Sequence, residues 1–442
     1  MSFKSRWFLS MWDLDLAERG AERIAWAEKL MPVCRSVGAV FKRDRPLEGL
    51  RIGCCLHVTK ETAVLVKVLS EGGASVALCP SNPLSTQDDV AAALSELGIQ
   101  VYAYRGMPPR EYYEAIGKVL SHRPHITVDD GADLTSTVHK IMHGVRDEGV
   151  AWASSVLSDP RGSCSEVFGG TEETTTGVVR LRSLETQGLL LYPVIAVNDS
   201  PTKRLFDNPI GTGQSVLDGI MRATGVLLAG KRLVVAGYGQ VGSGIAMRAR
   251  GLGCEVIVVE PSPVRALMAA MNGFRVTDMN EAAEVGDIFV TATGNINVIR
   301  REHFLRMRSG AILANAGHYD VEISKNDLSS ISERVEKVSE LVTKYVLHDG
   351  RELYLLAEGR LVNLVAAEGH PPEVMDLSFS LQALAVKYLA ENRERLGRRV
   401  YVLPEEIDDA VARGKLESMG VKLESLTEEQ KRYLREWRLG TS

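Results

Sequence analysis

No apolar run in this chain reaches the roughly 18 residues a membrane-spanning helix needs, and no N-terminal stretch reads as a secretory signal. The expected compartment is therefore the reducing cytoplasm, with no membrane partner. The cysteines fit this. There are six, none in a C-x-x-C pair, and several lie in apolar strand-like runs, which is the pattern of buried free thiols. A concentrated basic face is also missing. The formal net charge is −5, whereas phosphate binding needs clustered cations, which argues against nucleic acid as a partner. The stretch 430-QKRYLREWR-438 is basic, but it alternates with apolar residues and reads as an amphipathic packing helix. No H-x-x-x-H or comparable spacing occurs, so no metal is expected. Internal repeats and low-complexity linkers are absent too.

What is present is an ordinary globular composition over 442 residues, with 45% hydrophobic and 25% charged residues, enough for two or three domains. Apolar strand-like runs alternate with helical patterns. RIGCCLH (51–57), ASVALC (74–79), HITVDD (125–130) and PVIAVND (193–199) form one series. RLVVAGYG, EVIVVE (255–260), DIFVTATG (287–294) and AILANAG (311–317) form a second. Such alternation predicts an α/β fold with parallel, doubly wound sheets. Ligand groups then gather at the carboxyl ends of strands, where His57, Asp130, Asn198 and Asp199 fall. Residues 145–170, rich in Gly, Ser and Asp, read as a surface excursion, and the last ~25 residues as a charged helix.

The segment VVAGYGQVGSGIA contains Gly237-x-Gly239-x-x-Gly242 between a predicted strand and a predicted helix, with Gln240 and Val241 inside it. Glycines there allow a tight turn and close backbone approach to a pyrophosphate on a helix N-terminus. The next strand ends in Glu260, 18 residues past Gly242. An acid at that place binds a ribose 2′-hydroxyl and repels a 2′-phosphate, which predicts NAD rather than NADP. A second cofactor-facing loop is expected at 291-TATGN-295, with Thr293, Gly294 and Asn295.

The remaining polar clusters are scattered: His57 with Thr59 and Glu61, Asp129-Asp130, 171-TEETTTG-177, 198-NDSPTKRLFDN-208, 317-GHYD-320 and 369-GHP-371. Taken singly, each is an ordinary cap or turn signal, and TEETTTG by itself reads as a loop. Taken together, the set resembles the S-adenosylhomocysteine hydrolases. The matching pieces are 57-HVTKETAVL-65, 81-SNPLSTQDDVAAAL-94, 128-VDDGADLT-135, 171-TEETTTGVVRL-181, 197-VNDSPTKRLFDN-208, 230-GKRLVVAGYGQVGSGIA-246, 315-NAGHYDVEI-323, 358-EGRLVNL-364 and 369-GHP-371. They cover about residues 50–385 in the family's order.

The resemblance implies a substrate-binding domain over 1–198, interrupted by a Rossmann NAD domain over 214–368, with a return segment over 372–418 and a tail over 419–442. It implies reversible hydrolysis of S-adenosylhomocysteine to adenosine and homocysteine through NAD-dependent 3′-oxidation, elimination, water addition and re-reduction. A homotetramer with one tightly bound NAD in each protomer comes with it. Lys203 and Asp207 would handle the 3′-hydroxyl proton, Lys203 with its pKa lowered by burial or by the positive nicotinamide. Asp130 would serve C4′, His57 the 5′ side, and Glu173 the ribose hydroxyls with Asn208 nearby. His318 and His370 would line the cleft, the latter near the purine. Thr59, Glu61 and Gln87 would address the substrate. Thr174, Thr175, Thr176, Ala316, Gly317, His318, Asn363 and His370 would reach the NAD.

Some residues depart from the family pattern. Thr212 stands where a cysteine is usual, Arg265 where an asparagine is common, and Ser81 replaces a common cysteine. The chain ends LTEEQKRYLREWRLGTS, without the family's KPDHYRY-like tail, as in short-tailed archaeal and thermophilic members. Two other readings within the family are an S-inosylhomocysteine hydrolase and a catalytically silent NAD-binding regulator. Glu61, able to accept from an exocyclic amine, favours adenine over hypoxanthine, and the complete set His57, Asp130, Glu173, Lys203 and Asp207 favours an enzyme.

Overall fold

The computed structural model describes residues 11–438 and 440. After two helices, Met11–Lys29 and Pro32–Asp44, the chain builds a parallel sheet. Its strands are β1 (Arg51–Leu56), β2 (Ser75–Pro80), β3 (Gln100–Val101), β4 (Ile126–Asp129), β5 (Gly169–Glu172) and β6 (Val194–Ala196). A second sheet follows, of β7 (Arg232–Ala236), β8 (Glu255–Val259), β9 (Arg275–Val276), β10 (Ile288–Thr291), β11 (Ala311–Asn315), β12 (Ser332–Lys337), β13 (Val342–Leu347) and β14 (Glu352–Leu356). The long helix Pro372–Asn392 then returns to the first sheet, which β15 (Val400–Tyr401) completes. The spatial orders are β3-β2-β1-β4-β5-β6-β15 and β9-β8-β7-β10-β11-β14-β13-β12. Each order reverses once, between β1 and β4 and between β7 and β10. Among the described residues, only the β12–β13–β14 edge is antiparallel.

Both sheets are covered on both faces. Ile52, Cys54 and Leu56 of β1 enter one core while Cys55 enters another. Leu233 and Val235 of β7 face one side, and Val234 and Ala236 the other. Period-two alternation with helices on either side explains why these strands read as unbroken apolar runs. All six cysteines are free and buried. No helix among the described residues is long and apolar enough to cross a membrane.

Three local expectations change. Residues 145–170 are not an excursion. They form two short helices, Glu148–Ser154 and Pro160–Cys164, capped by Asp147 (to Val150 N, 2.8 Å) and Asp159 (to Gly162 N, 3.0 Å). Val150, Ala153 and Cys164 are buried beneath them; the polar residues that suggested a loop are largely caps. TEETTTG is not a free loop either. Its first two residues end β5, paired on both sides by β4 and β6, and Thr175 opens the helix Thr175–Thr186. Sheet pairing overrides the local turn preference there. Finally, the helix Glu428–Arg435 buries none of its residues in this chain, and Tyr433, Leu434 and Trp437 are exposed.

Candidate active site

Crevices form where strand order reverses, because the crossovers on either side diverge to opposite faces. His57 follows β1 and Asp130 follows β4, neighbouring strands registered Cys55 to Asp129. Gly237 follows β7 and Ala292 follows β10, registered Ala236 to Thr291. The two crevices share one cavity of about 1160 Å³.

At its centre is Lys203, on the short helix Pro201–Arg204, followed by a wide turn of π-helix over Asp207–Thr212. Lys203 Nζ donates to Asn208 Oδ1 (2.8 Å) and Asp207 Oδ1 (3.2 Å), reaches Asn198 Oδ1 at 3.5 Å and lies 3.6 Å from Glu173 Oε1. Asp207 also accepts from Ser378 Oγ (2.8 Å) and faces His370 Nδ1 (3.3 Å). The other ring nitrogen of His370 meets Thr212 Oγ1 at 3.0 Å, so the residue standing in for the family's cysteine is a hydrogen-bond partner of the histidine. Gln382 Nε2 donates to Glu173 Oε2 (2.6 Å). A second cluster holds Asp130 between two histidines, 3.5 Å from His57 Nε2 and 3.8 Å from His318 Nδ1. His57 Nδ1 bonds Ser85 Oγ at 2.7 Å.

Burial shapes the charges. It lowers His57 to about 3, with the nearby His370 adding to the shift, and it lowers His318. It raises Asp130 against the opposing pull of His318 and Lys203, and raises Glu173 to about 7 against Lys203. Burial alone would raise Asp207, yet Lys203 and His370 hold it below the usual carboxylate range. For Lys203 burial acts downward, but Asp207, Glu173 and Asp130 outweigh it and the pKa is raised. Burial by itself therefore does not free the amine, because three carboxylates outweigh it and keep it an ammonium; a lowered pKa would need the positive nicotinamide.

The Glu173 shift gives a testable stability signature. The folded chain holds a proton there that the unfolded chain has released between pH 4.5 and about 7. The group's contribution is therefore present at low pH and lost as pH rises through that window. Melting temperature of the wild type should fall across it relative to Glu173→Gln; parallel curves would contradict the assignment.

The adenine-side candidates Thr59 and Glu61 line the cavity. Thr59 caps the helix Lys60–Glu71, and Glu61 is buried beside Lys60 Nζ (3.1 Å), its pKa raised by burial against Lys60. Gln87 does not line the cavity; its side-chain carbonyl accepts from Lys60 N (3.1 Å), so it braces the neighbour of Glu61 instead.

The second crevice fits a dinucleotide. Gly237 has φ +96°. A Cβ on Gly239 would meet nothing within 4 Å, so the backbone there borders open space. Gly242 lies behind this surface, where a Cβ would stand 1.9 Å from the Gly237 carbonyl oxygen; its role is close helix–strand packing. Glu260 is fixed by Tyr238 N (2.6 Å) and Ser262 N (2.8 Å). Asn363 Oδ1 is buried without a hydrogen-bond partner, and Asn363 lines the cavity. Thr174, Thr175, Thr176, Gln240, Val241, Thr293, Gly294, Asn295, Ala316 and Gly317 line it as well. Glu322 shapes the loop after β10 by accepting from Thr293 N (3.0 Å), Thr293 Oγ1 (2.7 Å) and Gly294 N (2.8 Å).

Sequence reasoning missed Ser378, Gln382, Arg180 and Tyr319. Ser378 and Gln382 stand four apart on a helix whose other buried positions are mostly apolar, and a polar pair at that spacing inside a buried stripe is the signal that was available. His57, Asp130 and His318 also offer ligand atoms within 4.8 Å of one another, a cluster that no linear metal spacing could reveal.

The fold and cavity define an α/β enzyme that pairs a dinucleotide-binding Rossmann sheet with a second doubly wound sheet around a buried lysine–carboxylate centre. Comparison with known proteins makes this specific. The family model for S-adenosyl-L-homocysteine hydrolase matches residues 9–436. The adenosylhomocysteinase of Pyrobaculum aerophilum is 58% identical over 97% of this chain and 98% of that protein. Those of Pyrococcus abyssi and Aquifex aeolicus are 56% and 54% identical over 97% of this chain, covering 97% and 99% of their own lengths. Among solved structures, the NAD-bound 3-phosphoglycerate dehydrogenase of Entamoeba histolytica matches 80% of this chain and 99% of that one at 13% identity, with a TM-score of 0.44. The chain belongs to the S-adenosyl-L-homocysteine hydrolase family, and it hydrolyses S-adenosyl-L-homocysteine to adenosine and homocysteine. NAD is its cofactor.

Proposed function

We propose that Lys203, Asp207, Asp130 and His57 carry the proton transfers of this hydrolysis, and that Glu173 and Asn208 hold the ribose. The observation that supports this best is the convergence of Lys203 with Asp207, Asn208, Asn198 and Glu173 within 3.6 Å, next to Asp130 flanked by His57 and His318. Bound NAD supplies reversible oxidation of the ribose 3′-hydroxyl, which makes the C4′ proton acidic enough to remove. Lys203, kept an ammonium by its carboxylates, would hold the 3′-oxygen and, once the positive nicotinamide lowers its pKa, would take and return that proton with Asp207. Asp130, whose raised pKa suits a group that both accepts and donates, removes the C4′ proton and gives it back. His57, neutral at working pH, serves the departing thiolate and the entering water. Glu173, whose pKa burial raises, can either donate to or accept from the ribose hydroxyls.

The working division of the chain is a substrate domain over 1–198 and 372–418 around an NAD domain over 214–368. NAD would be held tightly, one in each protomer, by Glu260 at its ribose and by the turn at Gly239 at its pyrophosphate. Glu61 selects adenine. The protein acts in the cytoplasm, the compartment that suits six unpaired cysteines. It assembles as a homotetramer, and the uncovered apolar residues of 419–438 favour a site for them on another protomer. Purified protein given S-adenosylhomocysteine should release many equivalents of thiol with no net rise in absorbance at 340 nm. A stoichiometric rise would instead indicate a simple dehydrogenase, and absence of thiol with turnover of S-inosylhomocysteine would move the specificity to hypoxanthine.

A further inference from the structure

Arg180 and Tyr319 have no part in the roles above, yet they join the two halves of the molecule. Arg180 lies on the helix Thr175–Thr186, against the first sheet. Tyr319 follows His318 on the loop after β11 of the second sheet. Arg180 Nη1 donates to the Gly131 carbonyl, to Asp133 Oδ1 (2.8 Å) and to the Tyr319 hydroxyl. The Tyr319 hydroxyl itself stands 2.9 Å from Gly131 O and 3.2 Å from Asp133 Oδ1. Tyr112 holds the other oxygen of Asp133 at 2.8 Å. The knot thus ties a residue of the second sheet's loop to the segment that directly follows Asp130.

Its consequence falls on His318. That ring packs edge-on against Tyr319, centroids 4.8 Å apart, and its Nε2 would lie only 2.1 Å from a Cβ placed on Gly131. His318 is therefore seated directly on the residue after Asp130, which only a glycine permits, and Nδ1 reaches Asp130 at 3.8 Å. These two contacts, with Tyr319 and with Gly131, set the position of the ring.

We propose that Arg180 and Tyr319 are positioning residues that clamp the two halves together and hold His318 against Asp130 during turnover. This rests on the reading in which Asp130 exchanges the C4′ proton. Loss of the clamp leaves Asp130 and His318 in place but loosens their relative geometry. A misplacement of that kind lowers rate more than binding.

The test uses the NAD-loaded enzyme with adenosine in D₂O, following deuterium incorporation at C4′, alongside thiol release from S-adenosylhomocysteine. Tyr319→Phe keeps the ring and removes the hydroxyl; Arg180→Gln removes the charge. Each is expected to lower the exchange rate and kcat by about tenfold or more, with little change in KM, bound NAD or melting temperature. The double variant should be no slower than the slower single one, since both break the same link, and Arg180→Lys should recover part of the rate. Additive losses, losses that merely track NAD content or melting temperature, or an unchanged exchange rate would overturn the proposal. Asp130→Asn run in parallel separates the two levels. If it abolishes exchange while Tyr319→Phe leaves it intact, only the clamp fails; if it leaves exchange intact, the underlying reading fails with it.

Discussion

Asp130→Asn is expected to lower kcat for thiol release by about 10²–10⁴-fold, while a single turnover with adenosine still raises absorbance at 340 nm. The reasoning is positional. Asp130 is buried between His57 and His318 and carries no hydrogen bond from Lys203. Removing its charge should leave the 3′ chemistry at Lys203 and Asp207 able to proceed, but leave the C4′ proton without an acceptor. Asparagine keeps the shape, so the fold and bound NAD should survive. Lys203→Ala should behave differently, losing both thiol release and the 340 nm signal. It also leaves Asp207 and Glu173 buried without their counter-charge, a change that costs about 3–5 kcal/mol when a buried pair is broken from one side. Rapid-mixing absorbance of the two variants checks the split. A 340 nm signal in Lys203→Ala, or its absence in NAD-loaded Asp130→Asn, would show that the two roles have been assigned to the wrong residues.

The second large effect is expected at Gly242. A methyl group there would lie 1.9 Å from the Gly237 carbonyl oxygen, which is backbone and cannot rotate away. Gly242→Ala must therefore push the helix Gln240–Gly251 off β7. Overpacking of this kind costs about 1–3 kcal/mol, occasionally more, which for a domain of this size corresponds to roughly 2–12 °C in melting temperature. The displaced segment is also the one proposed to hold the pyrophosphate, so NAD content after purification should fall sharply. Gly239→Ala is the informative companion. Its Cβ would meet no protein atom within 4 Å, so melting temperature without NAD should hardly change while NAD binding weakens. Two variants three residues apart would then separate a packing glycine from a ligand-facing one. Calorimetry and released-NAD absorbance decide the matter; equal losses of stability in both would contradict it.

Much of this protein was legible before its structure. Strand and helix alternation predicted two doubly wound sheets because a strand covered on both faces must be largely apolar, as β1, β7 and β10 are; the sheets are parallel except at the β12–β13–β14 edge. Gly237, Gly239, Gly242 and Glu260 were readable as a unit because a dinucleotide turn is local: strand, turn and helix start within one short stretch. The order of the longer motifs was enough to reach the family, which the comparisons then showed.

Other features were not legible, and the reasons are physical. TEETTTG read as a loop because its own residues prefer turns, while the sheet that captures Thr171 and Glu172 is made from segments far away in sequence. The 145–170 segment read as an excursion because caps and loops use the same residue types. Gln87 was placed at the substrate by motif alone, whereas its side chain turns to the Lys60 backbone.

The sequence by itself determined the fold class, the cofactor turn and the family, since these depend on periodicity and on neighbours within a few residues. Only the tertiary structure decided which charges meet. The raised pKa of Lys203 comes from Asp207, four residues away, but also from Glu173 and Asp130, 30 and 73 positions earlier. Ser378 and Gln382 fix two of the central carboxylates from a helix that returns after the whole second sheet. Tyr319 meets Arg180 and Gly131 only because the two sheets close on one another. Electrostatic and hydrogen-bond energies depend on distance and burial in space, and sequence separation carries no information about either.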